Sequence, residues 1–390
     1  MSASNAGRIL QHIRDREADL VDLLKHMVDA ESPSAAPDSH QLIISVLSEA
    51  LLSLGFRLRT PRAPNAHRHI FARQNGRERN RGAQLLVGHY DTVWPLGTTA
   101  KRPFTVDGNV IRGPGVFDMK GGITQMIFAL DAIHSLGLEL PLEPVIFINS
   151  DEEIGSRTST KYIRALAKSV ERAFVLEPSM GEEGTIKSER KGIGRFTITV
   201  HGKAAHAGLD PEGGASAILE LSHVIQTLFA LNDAEKGITV NVGTVDGGLQ
   251  PNVIAPHSQA VVDVRVPTIA DGERIEAAIH GIEPTTSGVR LTIEGGIGRP
   301  SMEQTPRNLA LWKQAESLGR EIGLDLTQGR AGGGSDGNTT SQFTATLDGL
   351  GPVGHGAHAE HEFLYIDKTL ERTALLALLL LAPPAGGDPS

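Results

Sequence analysis

Three stretches of this chain are apolar on consecutive rather than alternate positions: QLLVGHY at 84–90, PVIFINSD at 144–151 and RAFVLEPS at 172–179. A strand with no polar face must be covered on both sides, as in a parallel sheet layered between helices. Helical spacing supplies those layers. It appears in Ile9, Ile13, Leu20, Leu23 and Leu24, in Ile43–Leu54, after the glycines at 121–122, and near 159–168. Such alternation predicts an α/β domain with a largely parallel mixed sheet. HRHIFARQ (67–74) reads as a further strand.

From about residue 191 the pattern changes. GRFTITVHG alternates as a half-exposed strand should, and GASAILELSHVIQTLFAL is helical. ITVNVGTVDGG, SQAVVDVRVP, a helical ERIEAAIH and VRLTIEGG follow. The β-α-β-β-α-β order predicts a ferredoxin-like α+β domain. Helix–strand texture returns near 300, so residues 191–300 read as an insertion within a larger domain made of 1–190 and 301–390. A chain of 390 residues accommodates two domains. ALLALLLLA at 374–382 is too short to span a bilayer and predicts a buried C-terminal helix.

Composition narrows the chemistry. The chain has no cysteine, which excludes disulfides, thiolate catalysis and thiolate metal ligands together. Any metal must be held by His, Asp and Glu. Net charge is −9 with no basic stripe, so neither nucleic acid nor a membrane is an expected partner. The polar N-terminal stretch lacks the apolar core of a signal peptide, and the expected location is the cytoplasm.

Acids and histidines collect where the predicted strands end. His89 and Asp91 follow LLV, Asp118 closes GPGVFD before a helix, Asp151, Glu152 and Glu153 follow VIFINS, and Glu177 follows FVL. Each alone has an ordinary explanation: a loop histidine, a helix cap, a solvated acidic patch. Together they fall at the edge of a parallel sheet where ligands bind, and adjacent acids there repel unless a cation is near. Two divalent ions need a bridging carboxylate and further ligands, with a nearby glutamate free to take a proton from water. If residues 151–153 are extended, Glu152 and Glu153 diverge and can divide those roles.

The segments GHYDTVWPLG, GPGVFDMKGG, NSDEEIGS, VLEPS, HGKAAHAGLDP, GGGSDGN and GPVGHGAHAEHEF, in this order, resemble the zinc aminoacylase/carboxypeptidase family. That family includes glutamate carboxypeptidases, acetylornithine deacetylases and succinyl-diaminopimelate desuccinylases. The run TVWPLGTTAKRPF, together with DGNVIRGPGVFDMKGG, is most similar to the carboxypeptidase G branch.

The resemblance implies hydrolysis of an amide bond in N-acyl amino acids or C-terminal glutamate conjugates. An acetylornithine-type deacylase or a dipeptidase is the alternative, and a non-catalytic binding protein a remote one. It implies two Zn²⁺ per subunit, with Co²⁺ or Mn²⁺ also compatible with such ligands, a small N-acyl amino acid or peptide substrate, and a homodimer. It further implies His89 and Glu177 as ligands of one ion, Asp118 as the bridge and Glu153 as ligand of the other ion. Glu152 corresponds to the general base, and Asp91 to the residue orienting His89. His355, His358 and His361 compete for the last ligand position. The family's histidine stands four residues before a Glu-aromatic pair, which selects His358. From the inserted domain, His206 corresponds to a residue that reaches a partner's site and stabilises the oxyanion. Asn252, Arg265, Gly333 and Gly334 correspond to substrate-binding positions.

Overall fold

The computed structural model of the chain describes residues 5–75 and 81–384. It divides into two compact units, residues 1–188 with 304–330 and 335–390, and residues 189–303 with 331–334.

The first unit is built on a six-stranded sheet. Ala83–His89 lies between Glu143–Asn149 and Arg172–Val175, and all three strands are buried along their whole length. They run parallel, and Ala345–Leu347 adds a fourth parallel strand beside Arg172–Val175. The mixed character comes from the other edge, where Ile70–Gln74 pairs antiparallel with Glu143–Asn149 and Phe56–Arg59 antiparallel with Ile70–Gln74. The sheet's own register brings His89 and the acids that follow the neighbouring strands together. His89 is opposite Asn149, and Val87 opposite Val175, so residues just beyond all three strands emerge at one carboxyl edge.

Helices supply the layers. Gly121–Ser135 is buried on nearly every side, and so is Ile366–Leu381, the predicted C-terminal helix. Only short polar stretches interrupt them, such as Asp367, Lys368 and Glu371 at the start of the second helix. Among the described residues, no helix is long and apolar enough to cross a membrane. A smaller antiparallel sheet joins Gly354–His355, Phe363–Tyr365, Val110–Arg112 and Thr105–Asp107, tying residues near 110 to residues near 360.

The second unit carries a four-stranded antiparallel sheet in the order Thr239–Gly247, His257–Val266, Gly192–His201, Arg290–Arg299. Burial alternates along its central strands. Phe196, Ile198, Val200, Val262 and Val264 point into a core shared with the helices Ala217–Phe229 and Ile269–His280. Those helices begin where Ser216 and Thr268 accept main-chain N–H bonds, the usual work of such N-caps. The segment 331–334 belongs with this unit, whereas the sequence pattern assigns it to the larger one. Its contacts, such as the bond from Arg190 to the Gly333 carbonyl, are invisible in sequence order.

Candidate metal centre

His89 is the last residue of its strand and is fully buried. Its Nε2 lies 3.3 Å from Asp118 Oδ1 and 3.5 Å from Glu177 Oε1. His358 Nε2 lies 2.8 Å from Glu153 Oε2 and 3.4 Å from Asp118 Oδ2. The two oxygens of Asp118 thus face two different histidines. Ligand atoms of His89, Glu152 and Glu177 fall within 4.8 Å of one another, as do those of His89, Asp118 and Glu153.

Each side chain arrives by a different local device. Glu177 stands two residues beyond Val175, level with His89 across the sheet. Asp118 sits in a non-helical kink (φ −116°, ψ 100°) between Gly115, at φ +76°, and the helix Gly121–Ser135. His358 has φ +61°, a left-handed conformation that costs a non-glycine residue and persists only where surroundings enforce it. Residues 152–155 form a turn rather than an extended segment, closed by the bonds from Gly155 N to Glu152 O and from Ser156 N to Asp151 O. The two glutamates are therefore separated by the turn, not by the strand alternation expected from the sequence.

Asp91 organises that turn. One carboxylate oxygen accepts from Glu152 N at 3.2 Å; the other accepts from Glu153 N at 3.2 Å and from Ser34 Oγ at 2.7 Å. Toward His89, the Nδ1 bond of 2.9 Å goes to the Asp91 main-chain carbonyl, with the carboxylate at 3.5 Å. Asp91 accordingly steers His89 largely through its backbone and uses its side chain on the glutamate pair. Nothing in the sequence pattern marks Ser34.

The electrostatics are those of a cation site. Burial opposes charging His89, but bonds to Asp118, Asp91 and Glu177 outweigh it and hold the imidazole pKa well above its ordinary value. His358 is raised to about 10 by Asp118 and Glu153. Against its own burial, Asp118 is held well below the usual carboxylate range by the two histidines. Burial pushes Glu153 up to about 7. Protons on the histidines supply the positive charge that the acids demand. Among the described residues, Glu153 Oε1 is buried without a hydrogen-bond partner, and Asp118 Oδ1 is buried with His89 Nε2 at 3.3 Å and no well-aligned hydrogen bond; buried carboxylate oxygens of this kind fit a metal ion. The donor set, nitrogen and carboxylate oxygen only, suits Zn²⁺, Co²⁺ or Mn²⁺.

Residues 85–382 match the peptidase family M20/M25/M40. The chain belongs to that family. It is a hydrolase of metallopeptidase type, similar to carboxypeptidase G2 of Pseudomonas sp. (strain RS-16), at 27% identity over 389 residues, 97% of this chain and 92% of that one. Acetylornithine deacetylase of Myxococcus xanthus is 30% identical over 230 residues, 55% of this chain and 57% of its own. Among solved structures, aminopeptidase PepT of Bacillus cereus matches with a TM-score of 0.74 at 19% identity, covering 93% of this chain and 98% of that one. A dinuclear metal-binding M20 peptidase of Bacillus subtilis gives 0.67 at 15% identity, covering 94% and 98%. At such identities these structures speak for the shared fold.

The remaining sequence candidates are not among the groups of ligand atoms that meet at His89. His355 and His361 are exposed and stack on each other, with ring centroids 5.5 Å apart. In the second unit, the His206 segment pairs with Val253, and Ala207 N bonds the Asn252 carbonyl. His206 is exposed, and its Nδ1 accepts from Gly208 N and Leu209 N, each at 3.2 Å. That nitrogen is an acceptor, so the neutral ring carries its proton on Nε2. Arg265 is bound through Nε (2.8 Å) and Nη2 (3.1 Å) to Asp263, two residues away on its own strand. Gly333 and Gly334 precede Ser335, which caps the short helix Asp336–Thr340.

Proposed function

We propose that this metallopeptidase hydrolyses the amide bond of N-acyl amino acids or C-terminal glutamate conjugates. In this reading His89, Asp118 and Glu177 would hold one Zn²⁺, and Asp118, Glu153 and His358 would hold a second. The observation that carries it is the division of Asp118, one oxygen toward His89 and the other toward His358. Bound there, the ions would acidify water and polarise the scissile carbonyl.

The chain's own residues do the rest. Glu152, tethered through its N–H to Asp91, takes the proton of the attacking water and returns it to the leaving amine nitrogen. Asp91 keeps the glutamate pair and His89 in register. In a homodimer, His206 of the partner subunit donates its Nε2–H to the developing oxyanion, and Asn252 and the glycines 333–334 bind substrate. Replacing Glu152 by Gln is expected to leave metal content intact while lowering kcat by several orders of magnitude. A Gln variant with comparable turnover would remove Glu152 from this role.

One observation favours a second reading, a deacylase or dipeptidase on the same centre. The bidentate bond between Arg265 and Asp263 occupies the guanidinium that would grip a glutamate carboxylate. Hydrolysis rates on N-acyl-glutamate, N-acyl-ornithine and simple dipeptides separate the two.

A further inference from the structure

Glu362 stands four residues after His358, and its carboxyl group is buried. Four N–H donors converge on it. Oε1 accepts from Phe117 N at 2.9 Å and Asp118 N at 3.1 Å. Oε2 accepts from Gly115 N at 2.8 Å and from the Trp94 indole Nε1 at 3.1 Å. An ionised carboxylate only accepts, and it offers about four lone-pair sites. Here the donors match that capacity.

Three of the donors belong to the loop that carries Asp118, and one is the N–H of Asp118 itself. Fixing that N–H fixes the main chain from which the Asp118 carboxylate departs, and hence the directions of its two oxygens. At the other end, Glu362 shares a turn with His358, closed by the bonds from Ala359 N to Gly356 O and from Glu362 N to Ala359 O. The fourth donor, Trp94, lies just after the segment that begins at His89, and its ring is covered by the Arg102 guanidinium at 3.8 Å. One buried carboxylate therefore ties together three stretches of chain that bring His89, Asp118 and His358 to the centre.

We propose that Glu362 is a positioning residue of the metal centre: it sets the separation of Asp118 and His358 at which two ions can share one carboxylate. The proposal rests on the reading of Asp118 and His358 as ligands. It requires a carboxylate specifically. A glutamine of the same shape keeps one acceptor oxygen but turns an NH₂ group toward N–H donors. An aspartate keeps all the lone pairs at a slightly shorter reach.

The test is a zinc titration of the metal-free, full-length protein against a competing chelator, for wild type, Glu362→Gln and Glu362→Asp, with circular dichroism confirming the fold. In the Gln variant, affinity for at least one of the two ions is expected to fall about 10–100-fold, as for other residues that orient metal ligands. kcat should fall with it, while KM changes little. Asp should recover part of both. A folded Gln variant with wild-type affinity for both ions overturns the proposal. So does equal damage from Asp and Gln, because that would mark a merely structural site. Should the Gln variant fail to fold, Trp94→Phe removes one donor and keeps an aromatic ring, and unchanged zinc affinity there overturns the proposal as well. Wild-type protein that fails to bind two ions would instead count against the ligand assignment on which the proposal rests.

Discussion

At the scale of the residue, neighbouring groups of similar chemistry do different work because their partners differ. His89 and Asp91 are two positions apart, yet only His89 aims a side-chain atom at Asp118 and Glu177. Asp91 spends its carboxylate on Ser34 and on the N–H groups of Glu152 and Glu153. An asparagine there has one acceptor oxygen for those three donors. Asp91→Asn should therefore lower kcat about 10–100-fold while most of the metal stays bound. His89→Ala should lose both, as read by metal analysis after dialysis alongside initial rates. The spacing in GHYD made these two residues a candidate pair only in company with the other acids and histidines of the chain. It could not show that the His89 Nδ1 bond goes to a carbonyl, since main-chain direction leaves no trace in residue identity. The same limit hid the bond between Arg265 and Asp263, because a two-residue spacing on a strand suits an ion pair and a substrate grip equally.

His69 is a residue-scale case away from the metal ligands. It is buried between the rings of Phe147 and Tyr162, with Nε2 on Thr158. Burial, aided by His67 and opposed by Asp151, lowers its pKa to about 4. The folded state thus holds it neutral while the unfolded chain takes a proton near the ordinary 6.5. Its stabilising contribution is complete above pH 6.5 and is lost as pH falls toward 4, on the order of 3 kcal/mol over that window at 1.36 kcal/mol per pKa unit. His69→Phe keeps an aromatic ring in place. Denaturant unfolding at pH 7 and pH 4.5 should show a shallower loss of stability in the variant, and equal slopes would contradict the argument.

At the scale of the element, glycines decide how closely chain segments approach the centre. A Cβ on Gly122, at the start of the helix Gly121–Ser135, would collide with the Leu176 carbonyl oxygen, and one on Gly351 would collide with the same oxygen and with the Glu177 carbonyl. Glu177 is thus held in a slot that two missing side chains create. Gly122→Ala should destabilise the fold by about 3 kcal/mol through overpacking against rigid backbone. It should also displace Glu177, so that metal affinity falls along with stability. Calorimetry paired with a metal titration reads both, and a variant altered in neither would show that the slot gives freely. The buried strands were plain in the sequence because unbroken apolar runs have few alternatives, and the β-α-β-β-α-β order was plain from its change of period. The short strands Thr105–Asp107, Val110–Arg112 and Phe363–Tyr365 were not. Phe363–Tyr365 pairs with Val110–Arg112 some 250 residues away in sequence, a match no local pattern encodes, and the hairpin of Thr105–Asp107 with Val110–Arg112 consists of strands only three residues long. The turn at 152–155 is held both by its own bonds, with Gly155 at φ +95°, and by the carboxylate of Asp91, and that second, distant contact leaves no local mark in the sequence.

At the scale of the whole molecule, the candidate ligands all lie in the first unit, on five separate stretches of chain from His89 to His358. The second unit has its own core, centred on Phe196, Ile198, Val262 and Val264. Ions bound only by the folded first unit stabilise it by mass action, about 4 kcal/mol when free metal stands a thousandfold above Kd. For a unit of this size that corresponds to a fall in melting temperature on the order of 10 °C on chelation. The loss also has an electrostatic component. Without ions, Asp118, Glu153 and Glu177 rely on the protons of His89 and His358, and raising the pH removes those protons and returns the acids to mutual repulsion. The chelated protein should therefore weaken further as pH rises, whereas the loaded protein should not. Hydrogen exchange on the intact chain locates the effect. Protection should drop in the strands Ala83–His89 and Glu143–Asn149 and stay unchanged in Gly192–His201 and His257–Val266. Equal loss in both units would mean that their stabilities are coupled, and no loss in either would mean that the acids are balanced by protons alone.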